Sequence, residues 1–263
     1  RAGSRGAGVG GRNPGGALPA YGAGTRPAGI GLGSAATRIG TNAGGTVTGA
    51  LGGGLADEVV VQAGADVFLV ALDGTGVTSI AAKDLDPTRS STRVSLQDAE
   101  VALLPGAAAT LTALSRVLLS AEAVGIARAC TEQAAAYAKV REQFGRPIAM
   151  FQAVKHHCAN MLVATELATA AVWDAARAKG EELTYAAAIA ATLAGPAADL
   201  CANLNIQVHG GIGYTWEHDA HLYLRRALVL RALLDPDQAA RDAVASTRQG
   251  VTRTRAVQLP PEA

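Results

Sequence analysis

Three regions of the chain differ in how apolar and polar residues follow one another. The first, residues 1–45, has neither a helical period nor the alternation of a strand. It holds 15 of the 31 glycines and five arginines, with no Asp, Glu or Lys. Such a segment cannot bury enough apolar surface to offset its own conformational entropy. We therefore expect residues 1–45 to form an irregular loop or the remnant of a truncated element.

Residues 46–106 contain short runs of β-branched and aromatic residues, which are typical of strands. Glycine clusters and Asp-Gly or Asp-Pro pairs between the runs indicate tight turns. The runs are Thr46–Thr48, Val59–Val61, Val67–Ala71, Val77–Ile80 and Arg93–Leu96. The pattern predicts a small antiparallel β unit of about five strands, which ends at Pro105–Gly106.

From residue 107 onwards, apolar residues recur every three to four positions, which predicts helices. We expect four of them, separated by glycine- or proline-containing breaks. Their expected bounds are Ala107–Val140, Ala149–Lys179, Thr184–His209 and a fourth helix that starts between Trp216 and His218 and ends at Leu234. Long helices with short links predict an up-and-down four-helix bundle over residues 107–248, with a polar tail over 249–263. The expected fold class is α+β and mainly α.

Two helices carry apolar faces that can be read from spacing alone. The first helix has one apolar stripe, formed by Leu111, Leu114, Leu118, Ala121 and Gly125. The second has an expected inner face, formed by Phe151, Val154, Cys158, Met161, Leu162, Thr165 and Ala168. These faces indicate how the bundle is packed.

Composition narrows the class of protein. Hydrophobic residues make up 49% and charged residues 17%, and the net charge is +1, so the chain has a core but no strong field for nucleic acid or an anionic membrane. No run of about 18 uninterrupted apolar residues occurs, so no membrane span is expected. Cys130, Cys158 and Cys201 are an odd number of widely separated thiols. They are expected to be buried and reduced, which favours a cytoplasmic location. No metal site is predicted.

Two helical motifs carry a resemblance to a known family. Residues 137–148 read YAKVREQFGRPI and are followed by Phe151–Gln152, and residues 207–214 read QVHGGIGY. Both motifs, and the spacing between them, are similar to those of acyl-CoA dehydrogenases. Within the β unit, residues 45–49 (GTVTG) and 65–71 (ADVFLVA) resemble the middle domain of that family more weakly.

The resemblance covers about residues 45–235 and implies a domain order. Members have an N-terminal helical domain, a middle β-barrel and a C-terminal four-helix bundle. In this chain the N-terminal helical domain is not recognisable, and residues 46–106 correspond to part of the barrel. The implied fold is therefore a partial antiparallel β-barrel followed by the bundle.

The resemblance also implies an FAD site that is shared between subunits. The residues concerned would contact the pyrophosphate and adenosine end of an FAD that a neighbouring subunit holds. They are Arg141, Gln143, Phe144, Gln152, Gln207, Gly210 and Gly211. A planar guanidinium suits a pyrophosphate, and glycines allow close approach of the backbone. Each also has an ordinary explanation: an ion pair of Arg141 with Glu142, Phe144 as core, and the glycines as a helix-ending turn.

The catalytic base cannot be assigned in the same way. In the family's reaction, a carboxylate removes a proton next to the thioester carbonyl and a hydride leaves for the flavin. The usual position of that carboxylate corresponds to Leu234, and the alternative position to Ser115, and neither is a competent base. Glu122, which interrupts the apolar stripe, and Asp235, one residue past Leu234, are weak candidates. Glu217 is better explained as an acid at a helix N-terminus.

Three functions follow as alternatives. The chain is an FAD-dependent acyl-CoA dehydrogenase, or a subunit of one, that forms a trans-2-enoyl-CoA. Alternatively, it is a non-catalytic subunit that completes the FAD site of a heteromeric dehydrogenase, an organisation found in members that act on steroid side chains. The third is a helical scaffold without flavin. Expected partners are the acyl-CoA, an electron acceptor, and other subunits of a homo- or hetero-oligomer that cover the open strand edges of the incomplete barrel.

Overall fold

The structure, a computed structural model, describes residues 28–31, 36–39 and 41–251. These residues form two compact units. The first contains the sheet, with the described residues up to Asp84 and Arg89–Ala108. The second contains Leu85–Thr88 and the helical residues from Ala109 onwards. Residues 1–27 and 252–263 lie outside the described residues, and with them most of the glycine-rich segment and of the tail.

The first unit is an open sheet of eight strands. The strands are β1 (Ala28–Gly31), β2 (Thr37–Ile39), β3 (Asn42–Leu51), β4 (Glu58–Ala63), β5 (Asp66–Ala71), β6 (Val77–Ala81), β7 (Ser91–Glu100) and β8 (Ala102–Leu103). Their order is β6-β7-β3-β1-β4-β5-β8, with β2 paired to β3. All pairs are antiparallel except β1 with β4, which run parallel from Ala28 beside Glu58 to Gly31 beside Val61.

All five predicted strand runs lie in strands, namely β3 to β7, and the predicted fold class is confirmed. Three strands of this sheet were not predicted: β1, β2 and β8. Strands β1 and β2 lie in the segment that we expected to be irregular, and β1 makes the sheet mixed rather than purely antiparallel. Strand β1 pairs with β3 and β4 through backbone hydrogen bonds, which do not require alternating apolar side chains. A glycine-rich segment can therefore form a strand that the pattern of apolar residues does not reveal.

The core of the sheet is built from valines at alternating positions, as strands with one buried face require. Its fully buried members include Val47, Val59, Val61, Phe68, Val70 and Val94. Gly31 lies so close to Val47 that a Cβ added there would stand 2.4 Å from the Val47 Cγ1. Glycine at position 31 therefore allows the backbone of β1 to pack directly against the buried Val47 side chain.

The second unit consists of five helices. They are α1 (Ala108–Val140), α2 (Gln152–Arg177), α3 (Glu181–His209), α4 (Ala220–Leu234) and α5 (Pro236–Arg248). A two-stranded hairpin, β9 (Glu142–Gln143) with β10 (Arg146–Pro147), connects α1 to α2. Short 3-10 helices at Ile148–Met150 and Gly210–Tyr214 precede α2 and follow α3.

Helix α3 lies at the centre of the helical unit and packs against α2, α4 and α5. Its buried face consists mainly of alanines, which allow the neighbouring helices to approach closely. Gly195 lies at this packed face, since a Cβ added there would stand 3.5 Å from the Leu234 Cδ1, the Pro236 Cγ and the Arg231 Cα. By length and composition, α1 and Glu181–Tyr214 could each span a membrane, but core helices of soluble bundles meet the same criteria.

Helix α5 was missed, because the chain after Asp235 was expected to be only polar. Its first residue is Pro236, and the Asp235 carboxylate accepts a hydrogen bond of 3.1 Å from the backbone N–H of Gln238. An Asp cap followed by proline at the first helical position is a strong start signal. Ala239 and Ala243 form its buried face. The described bundle thus has one helix more than the predicted four.

Two expectations about helix faces need correction. Leu114 and Leu118 of the apolar stripe are 48% and 64% exposed, whereas Ala113, Ala123 and Ala127 of α1 are buried. The buried face of α1 therefore combines these alanines with Leu119, Val124 and Ile126 rather than with the predicted leucine stripe. Leu162, predicted on the inner face of α2, is exposed, while Met161, Thr165 and Ala168 are buried as predicted.

The three thiols are free, as expected. Cys130 and Cys201 are fully buried, while Cys158 is half-buried. Burial raises the pKa of Cys130 to about 12, and the neighbouring Cys201 adds to this shift. A thiol with such a pKa stays protonated near neutral pH, so Cys130 is a packing residue.

Candidate flavin-contact site and family

The β9–β10 hairpin presents an aromatic side chain at its tip. Phe144 is 91% exposed and its backbone lies in the left-handed region, with φ of 54°. Gly145 follows with φ of 73°. The Phe144 ring meets the Phe151 ring edge-on at 6.0 Å between centroids, and the Arg146 guanidinium lies 4.5 Å from the Phe151 centroid. Phe144 is therefore not a core residue, which removes that alternative.

The polar residues predicted beside it are also exposed. Arg141, Gln143 and Gln152 all reach solvent. Arg141 forms no ion pair within the described residues, so the alternative of a pair with Glu142 does not hold. Its backbone is fixed from both sides, since its N–H donates to the Tyr137 carbonyl at 2.9 Å and its carbonyl accepts from Ile148 at 2.8 Å. A rigid backbone with an exposed guanidinium results.

The glycine turn after α3 leaves room in front of its backbone. Gly210 has φ of 64°, and a Cβ added at Gly210 or Gly211 would meet no atom within 4 Å. Gly213 is different, because a Cβ there would stand 3.0 Å from the Ile206 carbonyl oxygen. Gln207 is exposed one turn earlier on α3. The turn therefore combines a tightly packed end at Gly213 with an open backbone at the predicted flavin contacts.

One ring contact joins the two motifs. The Tyr137 ring stacks on the His209 ring at 4.3 Å between centroids and 27° between planes. Tyr137 lies four residues before Arg141, and His209 directly precedes Gly210. The structure therefore brings the hairpin residues and the glycine turn to the same end of the bundle. Sequence analysis did not single out Tyr137 or His209, although both lie within the motifs quoted for the resemblance.

Both expected positions of a catalytic base lie in the packed interior. Leu234 is 1% exposed, next to Gly195 and Pro236. Ser115 is 5% exposed, and its hydroxyl has no hydrogen-bond partner among the described residues. Neither side chain can accept a proton from a substrate.

Glu122, the first substitute candidate, is held in an ion-pair network. Its Oε1 pairs with Nη1 of Arg226, whose Nε pairs with the Asp86 carboxylate. The Nη2 group of Arg226 donates to the Thr88 hydroxyl at 2.7 Å. Each nitrogen of the guanidinium thus has an acceptor. The Glu122 carboxylate therefore has a structural partner in Arg226.

Asp86 is the fully buried member of this network. Burial by itself raises the pKa of Asp86, but hydrogen bonds from the Thr88 hydroxyl, Arg226 and the Thr88 N–H outweigh it and lower the pKa below 3.8. The two bonds from Thr88 measure 2.6 and 2.9 Å. Asp86 is therefore ionised at neutral pH and holds Arg226 in place.

The other acids have structural roles or none. Asp235 is exposed and caps α5, as described above, with a backbone in the left-handed region at φ of 41°. Glu217 is exposed in the turn before α4, and Asp219, not Glu217, is the residue directly before that helix. Sequence analysis placed Glu217 at the N-terminus of the fourth helix, whereas α4 begins only at Ala220. Within the described residues, no unpaired acid stands at either expected base position.

Comparison with known proteins identifies the family of the chain. The family model for the acyl-CoA dehydrogenase C-terminal domain matches residues 106–247. Acyl-CoA dehydrogenase FadE34 of Mycobacterium tuberculosis is 44% identical over 226 residues, which make up 83% of this chain and 32% of that protein. Acyl-CoA dehydrogenase IpdE2 of the same organism is 40% identical over 177 residues, covering 65% of this chain and 54% of that protein. The chain thus spans about a third to a half of the length of these curated relatives.

A solved structure shows the same fold. The ChsE4–ChsE5 complex of Mycobacterium tuberculosis superimposes with a TM-score of 0.74 at 26% identity, over 89% of this chain and 69% of that one. The family match covers all five helices of the second unit except the last residue of α5. The chain therefore belongs to the acyl-CoA dehydrogenase family.

Proposed function

We propose that this chain forms the C-terminal part of an FAD-dependent acyl-CoA dehydrogenase and contacts FAD through the β9–β10 hairpin and the glycine turn. The observation that carries the proposal is the exposed, left-handed Phe144 beside an exposed Arg141, joined to the open Gly210–Gly211 backbone by the Tyr137–His209 stack. A side chain held outward on a strained backbone is typical of a binding contact.

The described residues fit the adenosine and pyrophosphate end of FAD. Arg141 supplies a permanent charge for phosphate oxygens, and Phe144 supplies a face for an aromatic ring. Gln143, Gln152 and Gln207 supply exposed amides, and the glycine turn supplies open backbone. When bound, the flavin supplies the acceptor for the substrate hydride, and the reaction is the oxidation of an acyl-CoA to a trans-2-enoyl-CoA.

A second candidate is favoured by the absence of a base at the expected positions. Leu234 and Ser115 occupy those positions, and Glu122 is engaged by Arg226. A chain of this kind completes a flavin site while another polypeptide supplies the carboxylate. The ChsE4–ChsE5 structure is a complex of two named components, which is compatible with such an arrangement.

Both candidates share the remaining partners. The hairpin and the turn face solvent, so an FAD that contacts them is held mainly by another subunit of a homo- or hetero-oligomer. An acyl-CoA and an electron acceptor complete the reaction. The free, reduced thiols favour a cytoplasmic location.

Flavin absorbance of the purified chain tests the proposal. The chain is expressed alone and together with dehydrogenase-like subunits encoded next to it, and the ratio of FAD to protein is measured. We expect flavin in at least one preparation. Phe144→Ala and Arg141→Gln should lower the FAD content while leaving the thermal unfolding temperature of the apoprotein unchanged, because both side chains are exposed.

Trp173→Ala is the matched control. Trp173 is a 60% exposed aromatic on α2 with a nearby guanidinium, that of Arg177, but it lies outside both motifs. Its loss should leave the FAD content unchanged. Flavin bound by the chain alone, with turnover, supports the self-sufficient enzyme. Flavin only with a partner supports the non-catalytic subunit. No flavin in any preparation would contradict both and leave a helical scaffold.

A further inference from the structure

His209 is the most enclosed polar ring of the helical unit. It is the last residue of α3 and is only 6% exposed. Tyr137 covers one side of its ring at 4.3 Å, and His218 meets it at 4.3 Å between centroids with 43° between planes. We call these three rings the Tyr137–His209–His218 column. None of its members is among the predicted flavin contacts.

Each ring of the column belongs to a different segment of the site. Tyr137 lies on α1, and its carbonyl accepts the Arg141 N–H, so it fixes the start of the hairpin. His209 lies directly before the open glycines. His218 lies after the turn and accepts the Ala220 N–H at 3.1 Å through its Nδ1. The column therefore links the two sides of the glycine turn to the end of α1.

Hydrogen bonding fixes the orientation of the central ring. The Nδ1 of His209 lies 2.8 Å from the Asn205 carbonyl oxygen, which can only accept, so Nδ1 carries the proton. The Asn205 side chain in turn donates to Gln133 of α1 at 3.1 Å. Behind the ring, a Cβ at Gly213 would stand 3.2 Å from the His209 Cβ. The hydrogen bond and the close Gly213 backbone therefore tie the position of His209 to the turn.

The geometry points to His209 as a positioning residue that sets the conformation of the Gly210–Gly211 turn relative to Arg141, without itself contacting the cofactor. This inference rests on the proposed flavin site and adds to it a residue that controls cofactor retention. The neutral imidazole is the form that the column accommodates, because its Nδ1–H is bonded to a backbone carbonyl and the side chain is buried. A charged imidazole would stand against a second histidine in the same column.

Burial lowers the pKa of His209 below 6.5, the Asn205 carbonyl opposes this shift, and His218 lowers the pKa further. The titratable side chains that the structure places against its ring are Tyr137 from α1 and His218 from the segment before α4. Acidification should therefore disturb the turn at His209.

Two substitutions distinguish the packing role of the His209 ring from the effect of its protonation. His209→Phe keeps a planar ring between Tyr137 and His218 but cannot take a proton. His209→Asn keeps a donor but removes the ring. Tyr137→Phe, which keeps the stack, is the matched control. The first measurement is the dissociation constant of FAD for the apoprotein, with its partner if one is required, between about pH 5 and about pH 8.

We expect the FAD affinity of the wild type and of Tyr137→Phe to fall by about tenfold on acidification, as expected for coupling between two binding events. His209→Phe should bind close to the wild-type value at the upper pH and show little pH dependence. His209→Asn should bind weakly throughout. A pH profile that persists in His209→Phe, or wild-type affinity in His209→Asn, overturns the inference.

A second measurement needs no flavin. The backbone amide resonances of Gly210, Gly211 and Arg141 are followed by NMR through the same pH range in the apoprotein. They should shift together in the wild type and stay fixed in His209→Phe. Unchanged wild-type resonances, or the same shifts in His209→Phe, overturn the inference. If no FAD binds under any condition, the proposed function fails, and this measurement still decides the role of His209.

Discussion

The guanidinium of Arg226 is bonded to the carboxylate of Glu122 and, through its Nε, to the buried carboxylate of Asp86. The two acids depend on the same cation but differ in exposure, since the Asp86 side chain is fully buried and that of Glu122 is 29% exposed. Glu122 thus has a structural partner that a free catalytic base would lack. The difference in exposure also predicts unequal costs of substitution.

Asp86→Asn should destabilise the chain much more than Glu122→Gln. Removing the charge of a buried partner leaves Arg226 poorly compensated, which costs roughly 3–5 kcal/mol. The partly exposed Glu122 can be replaced for about 1 kcal/mol or less. Urea-induced unfolding, followed by circular dichroism, measures both differences. Equal losses of unfolding free energy would show that burial does not distinguish the two acids.

Acid should destabilise the fold in two separate ranges. The pKa of His209 is lowered from 6.5, so its stabilising contribution is complete above pH 6.5 and is lost as the pH falls through the folded-state pKa. The pKa of Asp86 is lowered from 3.8, so its contribution is complete above pH 3.8 and is lost below it. Unfolding free energy against pH should show both declines, and His209→Phe should remove only the upper one.

Leu234→Glu should not restore a base at the position where most of the family carries one. The side chain lies at the α3–α4–α5 contact beside Gly195, where a carboxylate would lose its hydration. We expect a loss of several kcal/mol or failure to fold, whereas Leu234→Met, which conserves volume, should cost below about 1.5 kcal/mol. Thermal unfolding compares the two. A stable Leu234→Glu chain with new dehydrogenase activity would contradict this account.

Asp235→Ala should weaken the start of α5. It removes the bond to the Gln238 N–H and leaves a side chain on a left-handed backbone, for a loss of about 1–2 kcal/mol. Asp235→Gly also removes the cap but relieves the backbone, so its loss should be smaller. Chemical denaturation ranks the unfolding free energies of the wild type, Asp235→Gly and Asp235→Ala. Flavin binding should be equal in all of them, and a selective loss of activity in both variants would return Asp235 to the list of candidate bases.

Periodicity predicted the elements whose side chains decide their position. The five strand runs that lie in β3 to β7 and the long helices α1 to α3 were predicted, because burial selects residue type at a fixed spacing. Strand β1 could not be predicted in this way, since Ala28–Gly31 is held by backbone pairing to β4. The exposed Leu114 and Leu118 show a second limit of prediction from periodicity. The spacing of apolar residues identifies a stripe on a helix but does not say what that stripe packs against.

The candidate site was likewise predicted only where its residues lie close together in the sequence. The resemblance supplied Arg141, Phe144 and the glycine turn, which are local in sequence. The Tyr137–His209 stack joins residues 72 positions apart, and no local pattern predicts which aromatic ring meets which. The Arg226 network likewise joins residues 104 and 140 positions apart. Such contacts follow from the crossing of the helices and are visible only in three dimensions.

Phe144 imposes a trade-off between folding and binding. A non-glycine residue in the left-handed region costs roughly 1–2 kcal/mol, and a ring left in water forgoes the stabilisation that burial would give. That cost is met when the chain folds, so a ligand or subunit that docks here finds the ring already oriented. Glycine at this position would relax the hairpin and stabilise the isolated chain. The same substitution would weaken every complex that depends on the Phe144 ring. Selecting variants only for the stability of the isolated chain would therefore favour variants that bind their partners less well.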